Sequence, residues 1–193
     1  MMRVDRHKLI YIDPLKTGSQ SLDKFWKAHG GQYLRYSSKL DKHRRHITEP
    51  RLQDYRLCAS VRNPYTRAYS LWNMDRIKKI NPHNMRLDNF MEYMEDVVNL
   101  CSKYPDSDEL NIYRYYSCSQ YLSPFDIADN HIIRMENMAE DVKNMGFAPK
   151  DIVVRNRGKY KQPWKDVSND LLMGLINVWA YGDFEKYGYE RHD

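Results

Sequence analysis

Short apolar runs alternate with amphipathic segments along this chain, a pattern that predicts strands and helices in turn. Residues 8–12 predict a first strand, and a helix follows it after a polar turn. Thr17 or Ser19 would cap the start of this helix, and Gly30 would end it. Its apolar positions recur at helical spacing and are Leu22, Phe25 and Trp26.

The same order of elements returns further along the chain. Residues 57–61 predict a buried strand, and residues 65–79 predict a helix with Pro64 at its entrance. The remaining predicted elements are a helix over 88–100, a strand over 131–135, a helix over 137–145, a strand over 152–154 and a C-terminal helix capped by Ser168.

Strands that alternate with helices of 10 to 15 residues are typical of β-α-β units. We therefore expect an α/β fold with three layers, in which helices flank a short central parallel sheet. The 193 residues suit a single domain spanning 1–193. Ligands of such folds bind at the carboxyl ends of the strands, which directs attention to residues 13–21 and 62–70.

Composition narrows the function classes only modestly. The chain has 31 Lys and Arg against 26 Asp and Glu, a net charge of +5 that favours anionic ligands without naming them. Apolar runs of about five residues are far shorter than a membrane span, and the N-terminal residues lack the apolar stretch of a secretory signal. These features predict a cytoplasmic or otherwise soluble protein. Three cysteines without C-x-x-C spacing argue against a disulfide framework and a zinc site.

The first strand-to-helix turn combines a lysine, hydroxyl groups and a glycine at a predicted helix N-terminus. Backbone N–H groups and the helix dipole attract a phosphate or sulfate there, and glycine lets the backbone approach it. Lys16 precedes Thr17 and Gly18, whereas the Walker A lysine follows the second glycine, so a conventional ATPase or GTPase is disfavoured. The alternative is an ordinary capped helix with a solvated lysine.

The second turn begins with Arg62 at the end of a predicted strand, and Ser70 follows eight residues later in the adjoining helix. Arg62 offers a planar fork of donors to a phosphate, and Ser70 adds a hydroxyl. The alternative is a capped helix start in which Arg67 and Arg76 form a solvent-exposed face.

Together the two turns resemble the nucleotide-binding loops of the sulfotransferases that use 3′-phosphoadenosine 5′-phosphosulfate (PAPS), above all the carbohydrate type of that P-loop-like superfamily. Residues 15–22 are similar to the family's P-K-T-G-G-T-S-L loop, with Leu15 in place of proline and Ser19 in place of the second glycine. Residues 61–70 match V-R-N-P-x-x-R-x-x-S at each defining position. Residues 133–141 and 181–189 resemble the family's R-x-E-N-L-x-x-D segment and its D-F-x-x-F-G-Y close.

The resemblance implies a P-loop-like fold, PAPS as the sulfuryl donor and no metal ion. Lys16 would be catalytic by stabilising the leaving phosphate, and Arg62 and Ser70 would bind the 3′-phosphate. A late basic turn would close over the 3′-phosphate or the adenine. The residues implied for the 5′-phosphosulfate are Lys16, Thr17, Gly18, Ser19, Gln20 and Ser21, and those of the late turn are Arg157, Gly158 and Lys159.

The acceptor implied by the resemblance is a hydroxyl, most often of a saccharide, and it must lose its proton to a general base. Some relatives carry a K-H-x-T-like stretch between the two phosphate loops, which favours His46 and then His43 here. Asp13 is a third candidate, and a solvated basic loop is the alternative for both histidines.

Two other functions compete with this interpretation. One is a nucleotide kinase of P-loop ancestry, which the lysine order and the lack of a clear magnesium-binding aspartate disfavour. The other is a basic module that binds nucleic acid through Lys42, Arg44, Arg45 and the tyrosines. The leading interpretation expects neither nucleic acid nor membrane as a partner. Trp164 could face a ligand, whereas Phe184, Tyr187 and Tyr189 suit the core.

Overall fold

The computed structural model describes residues 1–34, 52, 54–105, 107, 110–152 and 164–192. Their contacts form two compact units, each drawn from two stretches of chain. The first comprises Met1–Arg62 and Leu122–Arg157, and the second Asn63–Tyr121 and Gly158–Asp193, in each case within the described ranges.

A five-stranded mixed sheet forms the centre of the first unit. Its strands are β1 Met2–Val4, β2 Leu9–Ile12, β3 Gln32–Tyr33, β4 Arg56–Val61 and β5 Ile132–Arg134. They lie in the order β3-β1-β2-β4-β5. β2 is parallel to β4 and β4 to β5, whereas β1 runs antiparallel to both β2 and β3. The expected α/β class is therefore observed, but the sheet is mixed and not wholly parallel.

The antiparallel part follows from the short connection between β1 and β2. A single 3-10 turn, Asp5–His7, and Lys8 in the left-handed region (φ 48°) join the two strands. A parallel neighbour would require a crossover of about a dozen residues. Met2 and Val4 alternate with Arg3 and are buried on the same face, a period-two pattern that the surrounding charged residues obscured.

The described residues form eight α-helices. They are α1 Ser19–Ala28, α2 Pro64–Lys78, α3 Phe90–Lys103, α4 Leu110–Tyr113, α5 Cys118–Leu122, α6 Met138–Asn144, α7 Asp170–Trp179 and α8 Tyr181–Tyr187. None of the helices within the described ranges combines the length and apolarity that crossing a bilayer requires.

One face of the sheet packs against α1 and α6. Alternating strand residues point to this face, and helix residues at i, i+3 and i+4 spacing meet them. Burial of these side chains supplies the main stabilisation of the first unit. The cluster contains Met2, Val4, Leu9, Tyr11, Leu22, Phe25, Trp26, Cys58, Ile133, Met138, Val142 and Phe147.

Most predicted elements are present within a few residues of their predicted bounds, and two of those near the C-terminal end need correction. Asn169, not Ser168, caps α7, because its side-chain oxygen accepts a hydrogen bond from the Leu172 N–H at 2.8 Å. Ile152 follows the 3-10 turn Pro149–Asp151 and is not in a strand, while residues 153 and 154 lie outside the described residues.

Helices α2, α3 and α7 form much of the second unit, and polar side chains are buried among them. The Asp75 carboxylate accepts hydrogen bonds from Tyr93 Oη at 3.0 Å and from the Arg114 guanidinium at 2.5 Å. Arg67 is 1% exposed and donates to the Tyr116 carbonyl at 2.8 Å. The solvent-exposed face suggested for Arg67 and Arg76 is therefore wrong for Arg67, although Arg76 is exposed.

All three cysteines are free and buried. Burial raises the pKa of Cys58 well above its ordinary value and raises the pKa of Cys101 to about 12. Because thiolate is the reactive form, we expect neither thiol to react with a chromogenic disulfide reagent at pH 8 until the protein is unfolded. Stoichiometric reaction of the native protein within minutes would contradict this placement.

Candidate functional site

The first candidate loop connects the carboxyl end of β2 to α1. Lys16 and Gly18 both adopt the left-handed region, with φ of 70° and 89°. Gly18 is the N-cap residue of α1, and as a glycine it has no side chain with which to cap the first turn. The prediction that Thr17 or Ser19 caps α1 is therefore wrong, because Ser19 is the first residue of the helix and Thr17 precedes the cap.

The N-terminus of α1 has the electrostatic character that an anion requires. Intrahelical hydrogen bonding begins with the Ser21 and Leu22 N–H groups, which donate to the Gly18 carbonyl at 3.0 Å and 3.3 Å. The N–H groups before them and the positive end of the helix dipole lie at the loop. Lys16, Gly18 and Ser19 are partly exposed and Gln20 is exposed, so this end of the helix is accessible to a ligand.

Thr17 is completely buried and its hydroxyl is used inside the protein. Its Oγ1 donates to the Pro14 carbonyl at 2.7 Å and lies 2.7 Å from Ser60 Oγ. Any contact between Thr17 and a ligand would therefore involve the main chain. Ser21, at 2% exposure, is also largely withdrawn from solvent.

The second candidate turn begins where β4 ends. Arg62 follows Val61 directly, and Asn63 then caps α2 by accepting hydrogen bonds from the Tyr65 and Thr66 N–H groups. Pro64 occupies the first helical turn, as predicted. The side chain of Arg62 is partly exposed.

Arg62 lies next to the Lys16 loop within the first unit. Its Nη1 lies 3.4 Å from the Lys16 carbonyl oxygen, to which it donates a long hydrogen bond. Because β2 and β4 are parallel neighbours, their carboxyl ends meet at one edge of the sheet, so residues 46 positions apart in sequence become adjacent. Two cationic side chains thus extend from one small region of the first unit.

The segment after β5 supports the same edge of the sheet. Gly18 packs against Met135 and Met138 so closely that a Cβ added at position 18 would lie 3.0 Å from Met138 Cε. Asp141 accepts a hydrogen bond from the Arg134 N–H at 2.7 Å and lies 3.9 Å from its guanidinium. These contacts give residues 133–141, which resemble the family's R-x-E-N-L-x-x-D segment, a structural role in the first unit.

Gly18→Ala is expected to destabilise the protein by about 1–3 kcal/mol, since the substitution combines a left-handed φ with the close contact to Met138. Gly174→Ala in α7 is the matched control, because a Cβ there meets nothing within 4 Å. That variant should be neutral or more stable by up to roughly 1 kcal/mol. Urea unfolding measures both, and equal effects would contradict the assigned role of Gly18.

The remaining predicted site residues lie on other elements or outside the described residues. Ser70 lies on α2 in the second unit and is partly exposed. His43 and His46, with the basic residues around them, lie outside the described residues, as do Arg157, Gly158 and Lys159. Asp13 is partly buried, and its Oδ1 lies 3.4 Å from Tyr11 Oη.

The aromatic residues singled out in the sequence lie in the second unit. Trp164 stacks on Tyr65 with the ring centroids 4.9 Å apart and the planes 8° from parallel. Phe184 and Tyr187 are 3% exposed, in agreement with their expected place in the core, and Tyr189 is partly exposed.

Tyr11 and Ser60 support the Lys16 loop, and the sequence analysis did not predict this role. Tyr11 and Ser60, on β2 and β4, face each other with Oη and Oγ 2.7 Å apart, and Ser60 also reaches Thr17. A serine in the otherwise apolar run of residues 57–61 was the available signal, because a buried hydroxyl needs a partner.

Within the described ranges, no group of three or more His, Cys, Asp or Glu side chains is placed to hold a metal ion. Comparison with known proteins found no matching family model, curated protein or solved structure.

Proposed function

We propose that this protein is a PAPS-dependent sulfotransferase with a P-loop-like fold, and that it transfers a sulfuryl group to a hydroxyl acceptor, in particular a saccharide. The observation that carries the proposal is the contact between the Arg62 guanidinium and the Lys16 carbonyl. It joins the residues of the two sulfotransferase-like motifs at one edge of the sheet, as a nucleotide with phosphates at both ends of its ribose requires.

The residues present fit such a nucleotide. The 5′-phosphosulfate would lie at the N-terminus of α1, where the N-cap glycine has no side chain to compete for the first-turn N–H groups. Arg62 would bind the 3′-phosphate through its guanidinium fork, with Ser70 as a further donor inferred from the motif alone. Lys16 and Arg62 together would offset part of the charge of the two phosphate groups.

The bound nucleotide supplies an activated sulfuryl group, and the chain's residues position and stabilise it. In the transfer, a sulfur–oxygen bond to the acceptor forms while the bond to the bridging phosphate oxygen breaks, and the acceptor proton passes to a base. Lys16 would donate to the bridging oxygen and so stabilise the negative charge left on the phosphate. The N–H groups at the start of α1 would hold the 5′-phosphate.

His46 is our first choice for the base, and His43 is the alternative. If a histidine accepts the proton, the rate should fall as pH drops through about 6–7, because the imidazole becomes protonated. His46→Ala should abolish this inflection, and His43→Ala should keep it. A profile with no ionisation in that range, together with a fully active His46→Ala variant, would remove His46 from the mechanism.

A screen of hydroxylated acceptors with radiolabelled PAPS tests the function itself. Mono- and oligosaccharides, phenols and sterols would be compared, with the Lys16→Ala variant as the negative control. Label transfer to a saccharide supports the proposal, and transfer only to phenols or sterols would correct the acceptor class. Absence of transfer to any acceptor, combined with no binding of the product nucleotide, would contradict the proposal.

A further inference from the structure

A row of hydroxyl groups lies beneath the loop that carries Lys16. Tyr11 Oη and Ser60 Oγ are 2.7 Å apart, Ser60 Oγ and Thr17 Oγ1 are 2.7 Å apart, and Thr17 Oγ1 lies 2.7 Å from the Pro14 carbonyl oxygen. Thr17 and Ser60 are fully buried and Tyr11 is 2% exposed. These contacts link two strands of the sheet to both ends of the loop.

Each hydroxyl has one proton to donate, and this fixes the direction of the hydrogen bonds along the row. The Pro14 carbonyl only accepts, so the single Thr17 proton is donated to it. Thr17 Oγ1 must then accept from Ser60, and Ser60, whose proton is used, must accept from Tyr11. Only this order, from Tyr11 through Ser60 and Thr17 to Pro14, satisfies all three short contacts.

Tyr11 is suited to begin the row because it stays protonated. Burial raises the pKa of its phenol well above the ordinary value, and the nearby Asp13 carboxylate acts in the same direction. Asp13 also competes for the Tyr11 proton, although at 3.4 Å its contact is much longer than that of Ser60.

Thr17 lies between two residues whose backbone is left-handed. Lys16 and Gly18, on either side of Thr17, are both left-handed. A lysine in this region is unfavourable and persists only where the surrounding structure holds it. The hydrogen bond between Thr17 and Ser60 attaches the loop to β4, and the one from Thr17 to the Pro14 carbonyl closes the loop on itself.

We propose that Tyr11 and Ser60 are positioning residues, and that their directional hydroxyl row holds the Lys16 loop in the conformation that binds an anion. The proposal rests on the proposed function only for the identity of that anion. It predicts that Tyr11 acts on the loop through Ser60 and Thr17, without itself contacting the ligand.

Two measurements on the full chain test the proposal. The first is amide hydrogen exchange over residues 14–22, which contains the Ser21 and Leu22 N–H groups bonded to Gly18. The second is the affinity for adenosine 3′,5′-bisphosphate. Ser60→Ala and Tyr11→Phe are compared singly and together. Ser117→Ala is the matched control, because it removes a buried serine hydroxyl, bonded to the Gln120 N–H, from the second unit.

We expect Ser60→Ala to accelerate exchange over residues 14–22 roughly tenfold and to weaken nucleotide binding by a similar factor, the scale of one buried hydrogen bond. Tyr11→Phe alone should have a smaller effect and should add less than about twofold in the Ser60→Ala background, because it acts through Ser60. Ser117→Ala should change neither measurement over this loop. Thr17→Val should reproduce the faster exchange, and Thr17→Ser, which keeps the hydroxyl, should restore slow exchange.

Unchanged exchange in Ser60→Ala, or fully additive effects of the two substitutions, would overturn the positioning role. If the wild-type protein does not bind the nucleotide at all, the proposed function fails. The exchange rates of the variants alone then test whether Tyr11 and Ser60 position the loop.

Discussion

Lys16→Ala should lower the turnover number for sulfuryl transfer by about two to three orders of magnitude, the loss seen when one donor to a developing negative charge is deleted. The Michaelis constant for the donor should change far less, because Lys16 would act mainly on charge that develops in the transition state. Alanine keeps a Cβ at φ 70°, so the backbone strain of the loop is nearly unchanged and the substitution reports on the ammonium group. Steady-state kinetics with labelled donor measure both constants.

Lys24→Ala is the matched control for this experiment. Lys24 is an exposed lysine on the same helix that the loop enters, so its removal changes the net charge equally. Its turnover should remain within about twofold of the wild-type value, since isolated exposed charges contribute little. Equal rates for Lys16→Ala and the wild-type protein would exclude Lys16 from the chemistry.

Arg62→Ala should weaken the binding of adenosine 3′,5′-bisphosphate by about 10- to 100-fold, the range expected when a charge-assisted, forked contact to a phosphate is removed. Binding of adenosine 5′-monophosphate should change by less than about threefold, because that ligand lacks the 3′-phosphate that Arg62 is proposed to bind. Calorimetric titration of both nucleotides measures this loss of discrimination.

Two comparisons make the Arg62 result specific. Arg76→Ala removes an exposed arginine of α2 that packs on the Trp72 ring, and it should bind both nucleotides as the wild-type protein does. Arg62→Lys keeps the charge but not the fork, and we expect it to recover only part of the affinity. Equal weakening of both nucleotides by Arg62→Ala would instead indicate a general electrostatic effect or a disturbed Lys16 loop.

The parallel part of the sheet could be predicted because its strands are apolar runs bounded by turn residues. Residues 8–12, 57–61 and 131–135 correspond to β2, β4 and β5. β1 escaped prediction because its two inward side chains alternate with charged residues and precede a turn that the sequence does not signal. Local periodicity is a weak guide in strands of three residues.

The chemistry of the loop was predictable only in outline. Lysine, glycine and hydroxyl residues at a helix start indicated an anion site, but the sequence could not show which hydroxyls face inward. The buried Thr17 hydroxyl contacts Ser60, which is 43 residues away and is brought near by the pairing of β2 with β4. Such a contact follows from tertiary structure and has no local signature.

The burial of Arg67 could not be predicted from the sequence either. The alternative interpretation of the second turn placed Arg67 with Arg76 on a solvent-exposed face, yet α2 buries residues around most of its circumference. A helix enclosed in this way has little amphipathic periodicity from which to infer its inner face. The Tyr116 carbonyl and the ring of Trp179 provide the environment that this guanidinium occupies.

Calorimetric titration of adenosine 3′,5′-bisphosphate into the full wild-type chain tests the central claim most directly. The two turns, acting together, should give saturable one-to-one binding, with at least roughly tenfold weaker binding of adenosine 5′-monophosphate and of adenosine 3′-monophosphate, the scale of one lost charge-assisted phosphate contact. Absence of saturable binding, or equally weak binding of every polyanion with a steep dependence on salt, would contradict the account.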